Sequence, residues 1–255
     1  MSQPYVVAVI PSRYGAQRLP GKPLVKLLGK PMVQWVYEAA KRAEGIAEVL
    51  VATDDERIRE AVEAFGGTAV MTPHECPSGT DRIQAAMQGR KGDIVVNVQG
   101  DEPGMAAASI QTALEALLNR SDADVSTGCI PITRREDFEA DHIVKVVRGA
   151  DSRALYFSRE PIPSHRRVEE SVWNTPGYVW GYKHLGLYVY RRESLEAFVR
   201  LEQGHLELLE KLEQLRFLEV GATILCPEVK HDSIGVDVQA DVAKAEELLR
   251  KLHGL

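Results

Sequence analysis

Short apolar segments alternate with amphipathic segments along the first half of the chain. Tyr5–Pro11 and Ile94–Gln99 are almost continuously apolar and rich in β-branched residues, which is typical of strands buried on both faces. Residues such as Val33, Val36 and Ala40 follow helical spacing. This alternation predicts an α/β fold with a mostly parallel twisted sheet and helices on both faces. The predicted strands here are Tyr5–Pro11, Glu48–Thr53, Thr68–Met71, Ile94–Gln99 and Val125–Pro131, and the predicted helices are Met32–Arg42, Asp55–Phe65, Asp81–Met87 and Ala107–Leu118.

The alternation changes after Ile132. Ile143–Val147 and Ala154–Phe157 predict a hairpin, and residues 161–183 are rich in Pro and Gly, as loops are. We therefore expect one domain over residues 1–255, with a smaller insertion at about 132–192 that packs on the sheet. The remaining predicted elements are strands at Leu185–Tyr190 and Thr223–Cys226 and helices at Ser194–Arg200, Glu207–Leu218 and Asp241–Leu252.

Composition narrows the class of protein. The 255 residues are 44% hydrophobic and carry a net charge of -6, which predicts a globular protein that coats neither nucleic acid nor an anionic membrane. Three scattered cysteines, no apolar run of membrane-spanning length and no basic signal-like N-terminus predict a cytoplasmic location.

The loop after the first strand is strongly basic. Its sequence, PSRYGAQRLPGKP, holds two glycines and three cationic side chains, and no Asp or Glu precedes Glu38. Glycines let a backbone approach an anion closely, and cationic side chains bind phosphate oxygens. The loop is not a Walker A motif, because Pro23 stands where Ser or Thr would ligate magnesium. The basic residues of this region are Arg13, Arg18, Lys22, Lys26 and Lys30.

Two further loops carry candidate chemistry. Asp101 follows a buried strand and suits a hard cation such as Mg²⁺, although a turn or helix-capping aspartate is equally consistent with its position. The segment CPSGTDR, residues 76–82, offers small polar groups and Arg82 to the edge of a base. Alternatively, Thr80 or Asp81 caps the following helix and Arg82 is solvated.

Taken together, these segments resemble the 3-deoxy-manno-octulosonate cytidylyltransferase family (CMP-Kdo synthetases). The matching stretches occur in order along nearly the whole chain, which makes the resemblance specific. They are IPSRYGAQRLPGKPL at Ile10–Leu24, ATDD at Ala52–Asp55, SGTDR at Ser78–Arg82, VVNVQGDEP at Val95–Pro103, ALYFSREPIP at Ala154–Pro163, KHLGLYVYRR at Lys183–Arg192, LEKLEQLRFLEVG at Leu209–Gly221 and GVD at Gly235–Asp237.

The resemblance implies an activity and an architecture. The activity is transfer of CMP from CTP to the anomeric hydroxyl of 3-deoxy-D-manno-octulosonate (Kdo), which releases pyrophosphate and makes a sugar donor for lipopolysaccharide biosynthesis. The architecture is a nucleotide-sugar-transferase-like domain that forms a homodimer through its insertion. A magnesium ion is the implied cofactor.

The resemblance also implies a role for individual residues. Arg13, Arg18 and Lys22 would bind the triphosphate, and Ser78, Gly79 and Arg82 would recognise cytosine. Asp101 and Asp237 would ligate magnesium, and with Arg13 and Lys22 they form the implied catalytic set. The implied sugar-acid pocket consists of Gln99, Arg159, His184, Tyr188, Glu213 and Gln214.

Helical spacing leaves the position of Glu213 open. In a helix at Leu206–Leu218, one face carries leucines and the opposite face carries polar residues, with Glu213 at the border between them. The leucines are Leu208, Leu209, Leu212 and Leu215, and the polar residues are Glu207, Glu210, Lys211 and Gln214. Val238 replaces a Thr that is common in the family, and Gly104 and Met105 replace bulkier aliphatic residues.

Two alternative functions stay open. The substrate could be an amino-substituted Kdo or a sialic-acid-like sugar, and the alternative of a different class is an inactive nucleotide sensor.

Overall fold

A computed structural model describes residues 3–15 and 18–254. Ala16 and Gln17 of the basic loop lie outside the described residues. The strands are β1 Val6–Ser12, β2 Lys26–Leu27, β3 Lys30–Pro31, β4 Glu48–Thr53, β5 Ala69–Met71, β6 Ile94–Val98, β7 Val125–Ile132, β8 Lys145–Arg148, β9 Ala154–Ser158, β10 Gly181–Arg191 and β11 Ile224–Leu225. The helices are α1 Met32–Arg42, α2 Glu56–Ala64, α3 Gly79–Met87, α4 Ala107–Leu118, α5 Arg135–Glu139, α6 Glu170–Trp173, α7 Arg192–Phe198, α8 His205–Glu210, α9 Gln214–Glu219 and α10 Asp241–His253.

One mixed sheet organises the molecule. Its main path runs in the order β11-β7-β10-β6-β1-β4-β5. β1 pairs in parallel with β4 and β6, β4 with β5, and β7 with β11, whereas β10 is antiparallel to both β6 and β7. The predicted α/β class with a mostly parallel sheet is confirmed.

Helices cover both faces of this sheet because alternate residues of the buried strands point to opposite sides. Val6, Ala8 and Ile10 of β1 pack in the cluster that includes α1, α2 and α4. Val7 and Val9 belong to the cluster on the other face, with residues of α3, α7 and α9. Burial on both faces is why the first strand is apolar at every position from Val6 to Ile10.

The hairpin predicted in the insertion is present. β8 and β9 pair antiparallel, and β8 also pairs antiparallel with the first part of β10, at Tyr182 and Lys183. The strand predicted at Leu185–Tyr190 is longer than expected, since β10 begins at Gly181 and lies centrally between β6 and β7. The last part of the 132–192 segment therefore belongs to the main sheet, while its role as an inserted dimer contact stays a prediction.

The single helix predicted at Glu207–Leu218 is wrong. Lys211 adopts a left-handed conformation with φ of 56°, which ends α8, and the chain turns before α9 begins. The face assignment fails with it: Leu208 and Leu209 are 47% and 67% exposed, while Glu207 and Gln214 are buried. Glu207 is buried because it forms a two-pronged ion pair with Arg216.

Candidate functional site: a cleft at the carboxyl ends of the strands

Loops that leave the carboxyl ends of β1 and β6 meet in one cleft of about 720 Å³. Ligands commonly bind at this edge of open α/β sheets, because neighbouring parallel strands all end there. Ten of the fourteen residues implied as functional line the cleft. They are Arg13, Arg18, Lys22, Ser78, Gly79, Arg82, Gln99, Asp101, Glu213 and Asp237.

The basic loop folds back on itself before it presents Lys22. The Gly21 amide donates to the Tyr14 carbonyl at 3.0 Å, and Gly21 has φ of 68°, a conformation that favours glycine. A Cβ at Gly21 would also lie 3.1 Å from the Tyr14 ring. A short 3-10 turn, Lys22–Leu24, follows, and the Lys22 side chain is only 11% exposed. The fold thus directs one nearly buried ammonium into the cleft.

Two carboxylates from distant parts of the chain converge on that ammonium. Lys22 Nζ donates to Asp101 Oδ2 at 2.6 Å and to Asp237 Oδ1 at 2.8 Å. Arg18 pairs with the other Asp237 oxygen at 3.0 Å. Burial alone would raise the pKa of Asp237, but the hydrogen bond and charge of Lys22, with the charge of Arg18, outweigh it and lower that pKa.

Backbone contacts hold these two aspartates side by side. The Val236 amide donates to the Asp101 carbonyl at 2.9 Å, which links the GVD segment to the loop after β6. Asp241, the first residue of α10, accepts hydrogen bonds from the backbone amides of Asp237 and Val238 through one carboxylate oxygen. Val238 contacts Asp241 through its backbone amide and carbonyl groups, so the hydroxyl of a threonine is not needed for this contact.

The loop after β6 approaches the end of β1 closely at Gly100. A Cβ there would lie 2.8 Å from the Pro11 carbonyl oxygen and 2.9 Å from Ser12 Oγ. Such separations are shorter than real Cβ contacts allow, so only glycine fits without displacing a strand end. The glycine of the QGDEP segment therefore sets the distance between Asp101 and the basic loop.

The residues implied in cytosine recognition are already engaged with the protein. Ser78 caps α3, accepting from the Asp81 amide and donating to its carboxylate, so the capping expected of Thr80 or Asp81 is wrong. Arg82 is 4% exposed, not solvated, and donates to Thr72 Oγ1 at 2.6 Å and to Asp54 Oδ2 at 3.0 Å. These contacts fix the guanidinium at the cleft wall.

A smaller cavity of about 190 Å³ adjoins the cleft. Gly79, Gln99 and Glu213 line both, and Tyr188 and Gln214 line the smaller one only. The break in the helix at Lys211 is what turns this segment inward. Tyr188 donates to Gln214 Oε1 at 3.1 Å, and the amide nitrogen of Gln214 is buried without a hydrogen-bond partner among the described residues.

Glu213 is the carboxylate that spans the two cavities. It accepts a hydrogen bond from Thr80 Oγ1 at 2.8 Å. Desolvation by burial raises its pKa, although Thr80 and the charge of Arg216 act against the rise. A polyol hydroxyl entering here would meet a carboxylate and an unsatisfied amide that can each hydrogen-bond to it.

Arg159 and His184 line neither cavity. The Arg159 side chain donates to the Glu210 carbonyl, and its amide donates to the Glu210 carboxylate at 3.0 Å. His184 Nε2 lies 2.8 Å from Thr127 Oγ1, and burial lowers the pKa of this histidine to about 3. At neutral pH its ring is therefore uncharged.

Sequence reasoning did not assign a role to Glu102, although it follows Asp101 directly. Its Oε1 accepts from the Gly186 amide at 3.0 Å, where the pairing of β10 with β7 is irregular. Desolvation, followed by the neighbouring charge of Asp101, raises the pKa of Glu102 to about 7. Its place in the QGDEP segment was the only signal that could have indicated a role.

The donor set in the cleft fits magnesium. In the described part of the chain, no group of three or more His, Cys, Asp or Glu side chains could hold a metal. The convergence of two carboxylates on one cationic atom nevertheless offers hard oxygen ligands to a cation. Mg²⁺ is commonly held by one or two carboxylates, with substrate phosphates and water completing its coordination.

These features define a class: an α/β protein that binds an anionic nucleotide at the carboxyl edge of its sheet. The chain belongs to the cytidylyltransferase family, whose profile matches residues 7–224. This confirms the class of enzyme that the sequence motifs indicate.

Individual relatives with a cytidylyltransferase name are similar to the chain over nearly its whole length. The chain is 46% identical to the 3-deoxy-manno-octulosonate cytidylyltransferase of Geobacter metallireducens, covering 97% of this chain and 99% of the relative. It is 43% identical to the enzyme of that name from Escherichia coli, with 95% of each chain covered. The resemblance stated from the sequence is confirmed.

Solved structures match as well. A CMP:2-keto-3-deoxy-manno-octonic acid synthetase complexed with CTP has a TM-score of 0.89 and 42% identity, covering 97% of this chain and 99% of that one. The 4-diphosphocytidyl-2C-methyl-D-erythritol synthase of Anaerococcus prevotii has a TM-score of 0.62 at 12% identity and shares the fold, covering 98% of this chain and all of the other.

Proposed function

We propose that this protein transfers CMP from CTP to the anomeric hydroxyl of Kdo and releases pyrophosphate. The observation that carries this proposal is the cleft, in which a cationic loop faces Asp101 and Asp237 across the carboxyl edge of the sheet. The names of the full-length relatives support the same reaction.

The reaction is a displacement at phosphorus. The anomeric oxygen of Kdo bonds to the α-phosphorus, the bond to the bridging oxygen breaks, and pyrophosphate leaves with that electron pair. The hydroxyl proton passes to solvent. Positioning and charge stabilisation dominate catalysis of such transfers. Arg13, Arg18 and Lys22 line the cleft where they can bind triphosphate oxygens and stabilise the departing pyrophosphate.

Asp101 and Asp237 would hold the magnesium ion. When bound, Mg²⁺ supplies positive charge to the α-phosphate and lowers the pKa of a coordinated hydroxyl. The two aspartates suit this role because they come from separate loops that a backbone hydrogen bond already joins.

The base and the sugar acid occupy different parts of the site in this proposal. Cytosine lies against Ser78, Gly79 and Arg82, and Kdo extends into the smaller cavity lined by Gln99, Tyr188, Glu213 and Gln214. Arg159 and His184 are proposed to complete the sugar-acid pocket on the strength of the resemblance alone. A guanidinium suits the Kdo carboxylate, since it can bind both oxygens.

A pyrophosphate-release assay tests the activity. Purified protein with CTP and Mg²⁺ is expected to turn over Kdo in preference to an amino-substituted Kdo or a sialic acid. Turnover of only a sialic-type acid would contradict the substrate assignment, and CTP binding without turnover of any sugar acid would indicate a nucleotide sensor.

A variant pair tests the metal ligand. Asp101→Ala should abolish pyrophosphate release while the melting temperature is kept. Asp141→Asn, whose side chain is 96% exposed, is the matched control and should be as active as the unchanged protein. Normal turnover by Asp101→Ala would refute the ligand assignment.

Assembly and location form a further part of the proposal. The segment at about 132–192 is proposed as an inserted homodimer contact. Within it, the apolar residues Leu155, Val172 and Val179 are 60%, 43% and 41% exposed. We propose a dimer in solution that Val179→Glu converts to a monomer in light-scattering measurements. Leu209→Glu, at an exposed position outside the segment, should stay dimeric.

No helix among the described residues is long and apolar enough to cross a membrane. We propose a cytoplasmic enzyme that supplies lipopolysaccharide biosynthesis, and the free state of all three cysteines is consistent with a reducing compartment.

A further inference from the structure

The ammonium of Lys22 lies between the two carboxylates proposed to hold magnesium. From this geometry we infer that Lys22 has a second role beside binding triphosphate: it is the resident cation of the metal site and is exchanged for the divalent cation. This inference rests on the proposed function, because it takes Asp101 and Asp237 as the metal ligands.

Cations already occupy most of the ligand oxygens. Lys22 holds Asp101 Oδ2 and Asp237 Oδ1, and Arg18 holds Asp237 Oδ2. Asp101 Oδ1 is the carboxylate oxygen of the pair that has no hydrogen bond or ion pair within the described ranges. A divalent ion that uses both aspartates must therefore displace a cation from Asp237, and Lys22 is the cation that lies between the two carboxylates.

Lys22 also keeps the two carboxylates together. Their oxygens, each within hydrogen-bond distance of Nζ, are closer than like charges would stay without a cation between them. The ammonium cannot withdraw freely, because the Lys22 side chain is only 11% exposed and its backbone belongs to the 3-10 turn that follows Gly21. Lys22 therefore acts as a positioning residue for the metal ligands.

The exchange links two binding events. When a divalent cation takes the carboxylates, Lys22 loses its anionic partners and becomes available to the triphosphate oxygens in the same cleft. Metal and nucleotide then favour each other's binding, and by linkage the effect is reciprocal. Without nucleotide, the released ammonium would face the metal with no anion between them, so metal binding alone should be weak.

Binding of Mn²⁺ to the nucleotide-free protein tests the exchange. Mn²⁺ is used because the free ion can be counted by electron paramagnetic resonance in the absence of CTP and Kdo. We expect Lys22→Met to bind Mn²⁺ on the order of tenfold more tightly than the unchanged protein, since a competing charge a few ångströms away is removed. Lys26→Met, at an exposed lysine of the same basic segment, should leave the affinity unchanged.

A double variant tests whether the tighter Mn²⁺ binding depends on Asp101. Adding Asp101→Asn to Lys22→Met should remove the increase in Mn²⁺ affinity, because the metal then lacks one of its two carboxylates. Lys22→Gln is measured in parallel and decides the matter if the melting curve shows that Lys22→Met does not fold.

Three results would overturn the exchange. They are an Mn²⁺ affinity that is unchanged or weaker in the neutral Lys22 variants, an equal gain in Lys26→Met, and a gain that survives Asp101→Asn. A lysine that only binds triphosphate would leave nucleotide-free Mn²⁺ binding unchanged. The measurement needs no turnover, so a wrong sugar substrate would fail the pyrophosphate assay and leave this result standing.

Discussion

The buried imidazole of His184 makes folding sensitive to acid. Burial lowers its pKa from 6.5 to about 3, so the folded protein keeps this ring neutral at pH values where the unfolded chain protonates it. A group with a depressed folded pKa contributes stability that is present above its unfolded pKa and lost as pH falls toward its folded pKa. The window for His184 is therefore between about pH 6.5 and pH 3.

The size of the effect follows from the two pKa values. At about 1.4 kcal/mol for each tenfold change in an equilibrium constant, the shift amounts to about 4 to 5 kcal/mol below pH 3. At pH 5 the unfolded histidine is almost fully protonated and the folded one is not, which costs about 2 kcal/mol relative to pH 8.

His184→Gln removes the titrating group and keeps a side-chain amide that can donate to Thr127 Oγ1. Loss of the ring's edge contact with Phe157, at 5.0 Å between centroids, should cost about 1 to 2 kcal/mol at every pH. Urea unfolding followed by circular dichroism should therefore show the variant less stable at pH 8. At pH 5 the unchanged protein has lost about 2 kcal/mol that the variant does not lose, so the difference should disappear or reverse in sign.

His231→Gln supplies the matched control, because that histidine is exposed and its removal should not alter the pH profile. A stability difference between His184→Gln and the unchanged protein that stays constant from pH 8 to pH 5 would refute the reasoning. So would the same change of slope in the His231 control.

Three further changes test the framework of the cleft. Gly100→Ala places a Cβ 2.8 Å from the Pro11 carbonyl oxygen, so it should lower the free energy of unfolding in urea by about 1 to 3 kcal/mol and remove most of the pyrophosphate release. A stable, active variant would contradict the close approach. Arg216→Met leaves the Glu207 carboxylate buried without its ion-pair partner and should lower the free energy of unfolding by about 3 to 5 kcal/mol. Replacing both Arg216 and Glu207 with apolar residues should lower it by less. Asp241→Ala removes the acceptor of two loop amides and should raise the magnesium concentration needed for half-maximal turnover, with unfolding little changed.

Sequence patterns predicted the sheet well where burial alone sets the pattern. The strand at Glu48–Thr53 and the helix at Ala107–Leu118 have the predicted bounds, because their apolar spacing follows directly from the faces they bury. β10 was predicted too short because its first residues lie in a segment whose Pro and Gly content indicates loop. Pairing with β7 and β8, which spacing does not encode, is what extends it.

Spacing failed where contacts distant in sequence decide the outcome. Leucines at helical spacing predicted one helix, but the left-handed residue Lys211 divides it. Lys145 is fully buried, which composition does not suggest, because its ammonium donates to the carbonyls of Ala140, Ile143 and Arg159. Gly104 lies against Leu248 of α10, so the bulkier residue usual in the family would need that side chain to move.

The sequence predicted which loops form the site, but it did not predict which side chains contact each other there. Strand ends placed the basic loop, the Asp101 loop and the Ser78 segment at one edge, and the structure brings them together. Nothing in the spacing indicates that Asp237 would reach Lys22, which lies more than two hundred residues earlier. That approach depends on α10, whose apolar residues pack in one cluster with Leu27, Met32 and Trp35 beside the basic loop.

The same contacts change the meaning of the charge pattern. The first 37 residues hold five basic side chains and no acidic one, which suggests a strongly positive loop that attracts any anion. In the folded protein Arg18 and Lys22 pair with Asp237 and Asp101, and Lys30 pairs with Glu38. Much of that charge is therefore balanced by carboxylates from elsewhere in the chain. An anion can bind the Lys22 ammonium only if another cation binds Asp101 and Asp237. The cleft should therefore bind a metal–triphosphate complex in preference to an anion without a metal.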